Sequence, residues 1–243
     1  MADLKGKVAV ITGATGSIGS AISLELIANG AELHLIGRDF KKIRIDHKSD
    51  DPAGSNVTCH KADLSKQKNI ISLLEQLSAD LFRVDLLIHS IGVIRYGGIE
   101  ETTMDDFQRQ FDVNVRAPYL ITQGLLELIK KTRGQIVFIN SSSGKVAGEK
   151  TGTYSATKFA LKGIADSLRR EVNGDGVRVI SVFPGRTAGK MQEYVHKCEK
   201  RRYEPKKLLQ PSDIAQSVLT TITLPPTAEI TDVHIRPFID SSK

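Results

Sequence analysis

The sequence predicts a single α/β domain, with a doubly wound parallel sheet of about seven strands flanked by helices. Short apolar, β-branched runs alternate along the chain with stretches that carry apolar residues at helical spacing. A glycine-rich turn joins the first such run to the first helix. No internal repeat or shift in composition divides the 243 residues, so we expect one domain over 1–243.

The first strand, residues 7–12, runs directly into the glycine-rich turn TGATGSIG and a helix with an apolar stripe. Glycines here permit a tight turn and let the backbone approach a pyrophosphate at the helix N-terminus, as in a dinucleotide-binding Rossmann fold. The alternative is an ordinary glycine-rich loop, but the strand and helix on either side favour a binding site. The residues expected to contact the cofactor are Thr12, Gly13, Thr15, Gly16, Ser17, Ile18 and Gly19.

The second strand, residues 32–37, ends where such a fold selects its cofactor. Arg38 follows the strand and suits the 2′-phosphate of NADP(H). Asp39 is placed either to hold the 2′-hydroxyl of NAD(H) or to cap the next helix. We favour NADP(H) over NAD(H). Residues 48–56 are polar and contain proline and glycine, which predicts a loop.

The remaining strands are predicted at 57–62, 84–91, 135–140, 177–183 and 232–235. Because carboxyl ends of parallel strands meet at one edge, the residues after these strands should line one rim with Thr12. Asp63 can accept a hydrogen bond from the adenine amino group or cap the helix predicted at 65–79. His89, at a strand end, is expected to be packed rather than catalytic. The other rim residues are Leu64, Gly92, Ser141, Pro184 and Gly185.

Two further helices carry polar residues of interest. The helix predicted at 103–131 contains Asn114 and Pro118, and proline has no N–H for the carbonyl of residue 114. That carbonyl either binds water or marks a simple kink. The helix predicted at 151–172 places Tyr154 and Lys158 one turn apart. An ammonium there favours the phenolate, lowers the phenol pKa and suits Tyr154 to general acid/base catalysis.

The same spacing recurs at Tyr203 and Lys207, with Pro205 between them, and we assign that pair no chemistry. Another helix is predicted to begin at 211.

Taken together, these motifs resemble the classical short-chain dehydrogenases/reductases (SDRs) over essentially the whole chain. The resemblance implies that Tyr154 is the general acid/base and that Lys158 binds the nicotinamide ribose and lowers the Tyr154 pKa. Ser141 would hold the substrate oxygen, and the main chain of Asn114 a relay water. Hydride would pass between C4 of the nicotinamide and a carbonyl/alcohol carbon. The implied cofactor contacts beyond the glycine turn are Arg38, Asp63, Leu64, Gly92, Tyr154, Lys158, Pro184, Gly185 and Thr187.

The chain departs from the family pattern at four places. Ser17 replaces the middle glycine of the turn, with a glycine at 16 instead, and residues 89–92 read His-Ser-Ile-Gly rather than Asn-Asn-Ala-Gly. Thr187 is the nearest candidate for the usual threonine after Pro-Gly. Residues 234–237 replace the usual Asp-Gly-Gly ending, which often takes part in assembly. A homodimer or homotetramer is expected from the family.

Residues 185–210 are predicted to form the segment over the substrate. This segment could attract an anionic substrate or be a mobile helix with a solvated basic surface, and we favour the second interpretation. Its basic residues are Arg186, Lys190, Lys197, Lys200, Arg201, Arg202, Lys206 and Lys207.

The composition excludes several classes of protein. The formal charge is +6, but no arginine-rich tract or aromatic interleaving indicates nucleic-acid binding. The two cysteines are far apart and the histidines form no cluster, so we expect reduced thiols and no metal site. No signal peptide and no membrane-spanning run is expected, and we predict a cytoplasmic protein without membrane association.

These observations predict an NADP(H)-dependent oxidoreductase that acts on a small carbonyl/alcohol substrate. One alternative is a non-catalytic dinucleotide-binding regulator, although binding alone needs no general acid. A second is an epimerase or dehydratase of the extended SDR branch, suggested by the spacing of Gly13, Gly16 and Gly19. A third is an anion-binding protein that acts through the basic segment.

Overall fold

The structure, a computed structural model, describes residues 3–41 and 56–238. Within these ranges seven strands form one parallel sheet in the order β3-β2-β1-β4-β5-β6-β7. This confirms the predicted doubly wound Rossmann fold. The strands are β1 Val8–Thr12, β2 Glu32–Gly37, β3 Val57–Lys61, β4 Leu86–His89, β5 Gln135–Ile139, β6 Arg178–Pro184 and β7 Asp232–Ile235.

Helices cover both faces of the sheet, as the short apolar strands require. One apolar layer joins the sheet to α2, α4 and α5, and the other joins it to α1 and α7. Every residue of β1 and β5 is buried. The helices are α1 Ser17–Ala28, α2 Gln67–Asp80, α3 Met104–Phe111, α4 Ala117–Thr132, α5 Gly152–Val172, α6 Lys190–Cys198 and α7 Pro211–Ile222.

The helix predicted at 103–131 is divided by a π-helical turn over Asp112–Arg116. Pro118 follows as the second residue of α4, within the first turn, where a missing N–H is tolerated. The irregularity before Pro118 is therefore a π-helical turn, whereas one of the two alternatives predicted from the sequence was a simple proline kink. Apart from Asn56, the loop predicted at 48–56 lies outside the described residues.

The strand order reverses between β1 and β4. From β1 the chain continues to β2 on one side, and from β4 it continues to β5 on the other side. Ligands of open α/β sheets bind in the crevice that this reversal leaves beyond the carboxyl ends. The N–H of Ser90 donates to the carbonyl oxygen of Thr12 at 3.1 Å and so holds the two strand ends together. The rim predicted from the sequence therefore lies at this crevice.

No helix among the described residues is long and apolar enough to span a membrane. Within the same ranges, no group of three or more His, Cys, Asp or Glu side chains is placed to hold a metal ion. Cys59 and Cys198 are both free and exposed.

Candidate active site

The glycine turn after β1 is packed so closely that two of its glycines could not be replaced by a residue with a Cβ atom. Gly13 has a φ of +67°, and a Cβ there would lie 2.7 Å from backbone atoms of Ile91. A Cβ on Gly19 would lie 2.3 Å from the carbonyl oxygen of Gly13. The turn is therefore pressed against both the segment that follows β4 and the start of α1.

Helix α1 begins at this turn without a capping side chain, because its N-cap residue is Gly16. The first-turn N–H groups of Ser17, Ile18 and Gly19 have no partner within the helix. Together with the helix dipole, these donors attract an anion. A pyrophosphate fits this cradle better than a neutral group does.

The side chains of Thr15 and Ser17 pack closely against glycines from other parts of the chain. A Cβ on Gly37, the last residue of β2, would lie 2.5 Å from Cγ2 of Thr15. A Cβ on Gly189 would lie 2.4 Å from the hydroxyl oxygen of Ser17, and Gly189 has a φ of +152°. Ser17, the residue that replaces a glycine of the family pattern, thus contacts the base of the segment 185–210.

The end of β2 and the end of β3 form the adenosine side of the rim. Arg38 is exposed there, and the exposed Asp39 accepts a hydrogen bond from the N–H of Lys41 at 3.0 Å. Any helix that Asp39 caps would lie outside the described residues. Asp63 does not cap α2, whose N-cap is Lys66. It accepts instead from Ser65 N and Oγ, at 3.1 and 2.8 Å.

The charge of Asp63 is stabilised by this environment. Burial acts to raise the pKa of the carboxyl group, but the hydrogen bonds from Ser65 and the nearby charges of Arg38 and Lys66 lower it overall. Asp63 is therefore ionised at neutral pH and can accept a further hydrogen bond. Leu64 beside it has a buried side chain that packs in the core.

The structure brings Ser141, Tyr154 and Lys158 together at the ends of β5 and α5. Tyr154 and Lys158 are buried, and the phenol of Tyr154 is hydrogen-bonded to Ser141. The Ser141 hydroxyl also accepts from the N–H of Ser143 at 3.1 Å, which fixes its position. Lys158 Nζ donates to the carbonyl oxygen of Ile139 at 3.1 Å. A hydroxyl pair beside a buried amine is an arrangement suited to proton transfer.

The prediction that Lys158 lowers the Tyr154 pKa is wrong. Burial raises the pKa of Tyr154 to about 12, and the hydrogen bond with Ser141 opposes that rise. Burial also lowers the pKa of Lys158 to about 8. The Lys158 nitrogen lies 5.8 Å from the centre of the Tyr154 ring and donates elsewhere, so loss of water outweighs the attraction between the two groups.

Asn114 lies in the π-helical turn, and its side chain connects three elements. Its Oδ1 accepts from the N–H of Val93 at 2.8 Å, while Nδ2 donates to Val93 O and Thr157 Oγ1 at 2.9 and 3.0 Å. Gly92 lies close by, since a Cβ on it would be 3.7 Å from Asn114 Oδ1 and 3.8 Å from Lys158 Nζ. Asn114 and Lys158 therefore border one small space in front of Gly92.

Asn140 is a positioning residue that the sequence did not indicate. It is buried, its Oδ1 accepts from the N–H of Ser141 at 2.9 Å, and its Nδ2 donates to Lys158 O at 3.1 Å. These bonds tie the strand that carries Ser141 to the helix that carries Tyr154 and Lys158. A polar residue at the end of an apolar strand is the one signal that could have identified it.

His89 is packed, as predicted. It is 1% exposed, its Nε2 lies 2.9 Å from Thr122 Oγ1, and its ring stacks on Phe138 with centroids 5.1 Å apart. Burial lowers the pKa of His89 to about 3. The side chain is therefore neutral near pH 7.

This burial predicts that acid destabilises the protein through His89. A base whose folded pKa is lowered contributes stability above its unfolded pKa of about 6.5, and loses it as pH falls towards the folded value. Between pH 7 and pH 5 we expect the free energy of unfolding of the wild type to fall by about 2 kcal/mol more than that of His89→Gln. Urea unfolding at both pH values measures this difference. The exposed His234→Gln is the matched control, and an equal loss in all three proteins would contradict the prediction.

The segment 185–210 lies against the rim. Gly185 N donates to Ile235 O at 2.8 Å, and Thr187 Oγ1 donates to Gly185 O at 3.0 Å, so the Thr187 hydroxyl is used within its own turn. A Cβ on Gly92 would lie 4.0 Å from Cε of Met191 in α6. Arg95, beyond β4, donates to the hydroxyl of Tyr194 in α6 at 3.2 Å. Helix α6 therefore covers the space in front of Gly92.

Most basic residues of this segment face solvent. Arg186 forms a two-pronged salt bridge with Glu199, at 2.8 and 2.6 Å. The Tyr203–Lys207 pair serves the structure, because the Tyr203 hydroxyl accepts from the N–H of Gly189 at 2.8 Å and Lys207 pairs with Glu204. The exposed basic residues are Lys190, Lys197, Lys200, Arg201, Arg202, Lys206 and Lys207.

The site and the fold together define a class of protein. The sequence profile of the family described as short chain dehydrogenase matches residues 7–200. The chain therefore belongs to the short-chain dehydrogenase family of oxidoreductases.

Similar proteins agree with this assignment. The chain is 30% identical over 239 residues to an uncharacterized oxidoreductase of Staphylococcus epidermidis, with 98% of this chain and 100% of that protein covered. It is equally similar to glycine betaine reductase ATRR of Emericella nidulans, at 30% identity, where the match covers 96% of this chain but spans only 19% of that longer protein.

Two solved structures share the whole fold, each covering 98% of this chain and 99% of their own. One is an alcohol dehydrogenase from the archaeon Thermococcus sibiricus complexed with 5-hydroxy-NADP, with a TM-score of 0.85 and 25% identity. The other is a metagenomic short-chain oxidoreductase in complex with NADP, with a TM-score of 0.80 and 29% identity.

Proposed function

We propose that this protein is an NADP(H)-dependent oxidoreductase that transfers hydride between a nicotinamide and a small carbonyl/alcohol substrate. The observation that carries the proposal is the convergence of Ser141, Tyr154 and Lys158 at the rim that also holds the glycine turn. A protein that only binds a dinucleotide has no need of a buried phenol hydrogen-bonded to a serine. The geometry thus favours catalysis over the regulatory alternative.

The glycine turn and α1 are suited to the pyrophosphate, and the space bordered by Gly92, Asn114 and Lys158 is suited to the nicotinamide ribose. When bound, the nicotinamide supplies or accepts the hydride. Lys158, an amine with its pKa near neutrality, would donate hydrogen bonds to the ribose hydroxyls. The side chain of Asn114 hydrogen-bonds to the main chain of Val93 and so supports one wall of this space.

Tyr154 would move the proton. Its raised pKa keeps the phenol protonated at neutral pH, as a general acid for carbonyl reduction requires. The Ser141 hydroxyl would hold the substrate oxygen beside the phenol. As Tyr154 gives up its proton, the ammonium of Lys158 would stabilise the developing phenolate, and a water held at the Asn114 main chain would relay the replacement proton. Holding both reactants in one orientation supplies much of the rate enhancement.

Two lines of support favour NADP(H) over NAD(H). Arg38 is exposed directly after β2, where a 2′-phosphate would lie, and the two solved relatives named above are complexes with NADP or its 5-hydroxy derivative. We further propose contacts of the cofactor with Asp63, Leu64, Pro184, Gly185 and Thr187, on the family pattern. The working form would be a cytoplasmic homodimer or homotetramer.

The first experiment titrates NADPH and NADH separately by the change in their fluorescence, and then follows NADPH oxidation with ketones, aldehydes, quinones and 3-oxoacyl thioesters. We expect tighter binding of NADPH and turnover of at least one class. Binding of NADPH without turnover of any class would favour the regulator, and absence of dinucleotide binding would overturn the proposal. Preference for NADH would shift the selecting role from Arg38 to Asp39.

A further inference from the structure

The π-helical turn over Asp112–Arg116 is bonded to the turn after β3 as well as to the loop after β4. Arg116, its last residue, donates from Nη2 to the carbonyl oxygen of Ser65 at 2.8 Å. Ser65 lies between β3 and α2, 51 positions earlier in the sequence. Two residues before Arg116, the Asn114 side chain bonds to the main chain of Val93. One irregular turn therefore connects two separate parts of the rim.

The guanidinium group of Arg116 is held in a fixed orientation. Its Nη1 pairs with Asp112 Oδ1 at 2.8 Å, one turn earlier in the same segment. Its Nε is buried and has no hydrogen-bond partner among the described residues. A buried donor without a partner costs stability, so this side chain is not explained by stability alone. What the two paired nitrogens achieve is to hold the Ser65 main chain in place.

Ser65 in turn determines where the Asp63 carboxylate lies. Oδ1 of Asp63 accepts from Ser65 N and Oγ at 3.1 and 2.8 Å. Oδ2 accepts no hydrogen bond from any residue in the ranges 3–41 and 56–238. Asp63 is only half-buried, so this second oxygen is available to a ligand. A shift of Ser65 would therefore move the acceptor that Asp63 offers.

We propose that Arg116 is a positioning residue, which holds Asp63 where its free oxygen accepts a hydrogen bond from the amino group of adenine. The inference rests on the proposed dinucleotide cofactor and on the proposed contact of Asp63 with its base. Hydrogen bonds weaken steeply as their geometry departs from the optimum. Hypoxanthine carries a carbonyl oxygen in place of the amino group and cannot donate to Asp63 there. Discrimination between the two bases therefore reports the position of the carboxylate.

The test uses the full-length protein with NADPH and its deamino analogue, in which hypoxanthine replaces adenine. Fluorescence titration gives the Kd of each dinucleotide for the wild type, Arg116→Met and the control Arg109→Met, which alters an exposed arginine of α3. We expect the wild type to bind NADPH about tenfold more tightly than the analogue, and Arg116→Met less than threefold more tightly. Steady-state oxidation of NADPH with an accepted carbonyl should show kcat within twofold of the wild type.

The fold should tolerate Arg116→Met, because methionine removes the unpaired donor and Asp112 still accepts from Gln108 Nε2 at 2.7 Å. Urea unfolding measures this. Arg116→Lys keeps a cation that can donate to Ser65 O, and its ratio of the two Kd values should lie between those of the wild type and Arg116→Met. Addition of Arg116→Met to Asp63→Asn should leave the ratio of that variant unchanged.

The ratio of the two Kd values separates positioning from a merely structural role. If Arg116→Met weakened both dinucleotides equally and kept the wild-type ratio, the proposal would be overturned. A wild type that binds both dinucleotides equally would also overturn it, yet turnover of NADPH would leave the proposed oxidoreductase intact. Absence of binding of either dinucleotide to the wild type would reject the proposed function together with this inference.

Discussion

Replacing Tyr154 with phenylalanine is expected to lower kcat by about 1000-fold and to leave the Kd for NADPH within about threefold. The ring is 7% exposed, so phenylalanine can occupy the same space and the wall of the site stays in place. What disappears is the hydroxyl that bonds to Ser141 and carries the proton. Steady-state NADPH oxidation with an accepted carbonyl, and a fluorescence titration of NADPH, measure the two quantities.

Tyr119→Phe is the matched control for this substitution, because Tyr119 is 49% exposed on α4. It should keep the activity of the wild type. If Tyr154→Phe retained more than about a tenth of the wild-type kcat, Tyr154 could not be the proton donor. If it lost NADPH binding as well, the effect would be structural and the assignment of a proton-transfer role would lose its support.

Much of the fold could be predicted from the sequence because its strands are local signals. The runs at 7–12, 32–37 and 135–140 are each mainly apolar, with valine, isoleucine or leucine at most of their central positions, as is typical of strands buried on both faces. Each was found within one or two residues of its predicted bounds. The predicted strand at 84–91 is shorter, since β4 ends at His89 and the chain then turns across Gly13.

The pKa of Tyr154 could not be predicted in the same way. The spacing of Tyr154 and Lys158 shows only that the two side chains share a helix face. Whether a cation lowers a phenol pKa depends on how much water both groups lose, and both Tyr154 and Lys158 are buried. Burial is a property of the folded chain, and here it decides the direction of both shifts.

The hydrogen-bond partners of buried side chains also could not be predicted from the sequence. The prediction for Asn114 concerned its main chain, but its side chain makes three hydrogen bonds that join the loop at Val93 to Thr157. Asn140 likewise joins Ser141 to the Lys158 main chain, 18 positions further along the sequence. Contacts between segments so far apart follow from the topology rather than from any local pattern.

Lys158→Met is expected to abolish activity and yet to stabilise the fold by about 1–2 kcal/mol at pH 7. Lys158 is 2% exposed, and burial lowers its pKa to about 8. Near pH 7 the folded chain therefore holds a buried ammonium that bonds to Ile139 O. Methionine is unbranched, similar in length and apolar, so it removes this cost while filling the same space. Urea unfolding and steady-state kinetics give the two results.

The pH dependence separates this explanation from simple repacking. Because the folded pKa of Lys158 is lowered, the unfolded chain binds more protons between about pH 8 and pH 10.5, and wild-type stability rises with pH across that window. The advantage of Lys158→Met should therefore shrink between pH 7 and pH 9.5.

Lys162→Met, one turn further along α5, is the matched control. Lys162 pairs with Asp166 at the surface, so this variant should keep activity and gain no stability. A Lys158→Met protein that is less stable than Lys162→Met at pH 7, with no change in the difference at pH 9.5, would show that the buried ammonium does not strain the site.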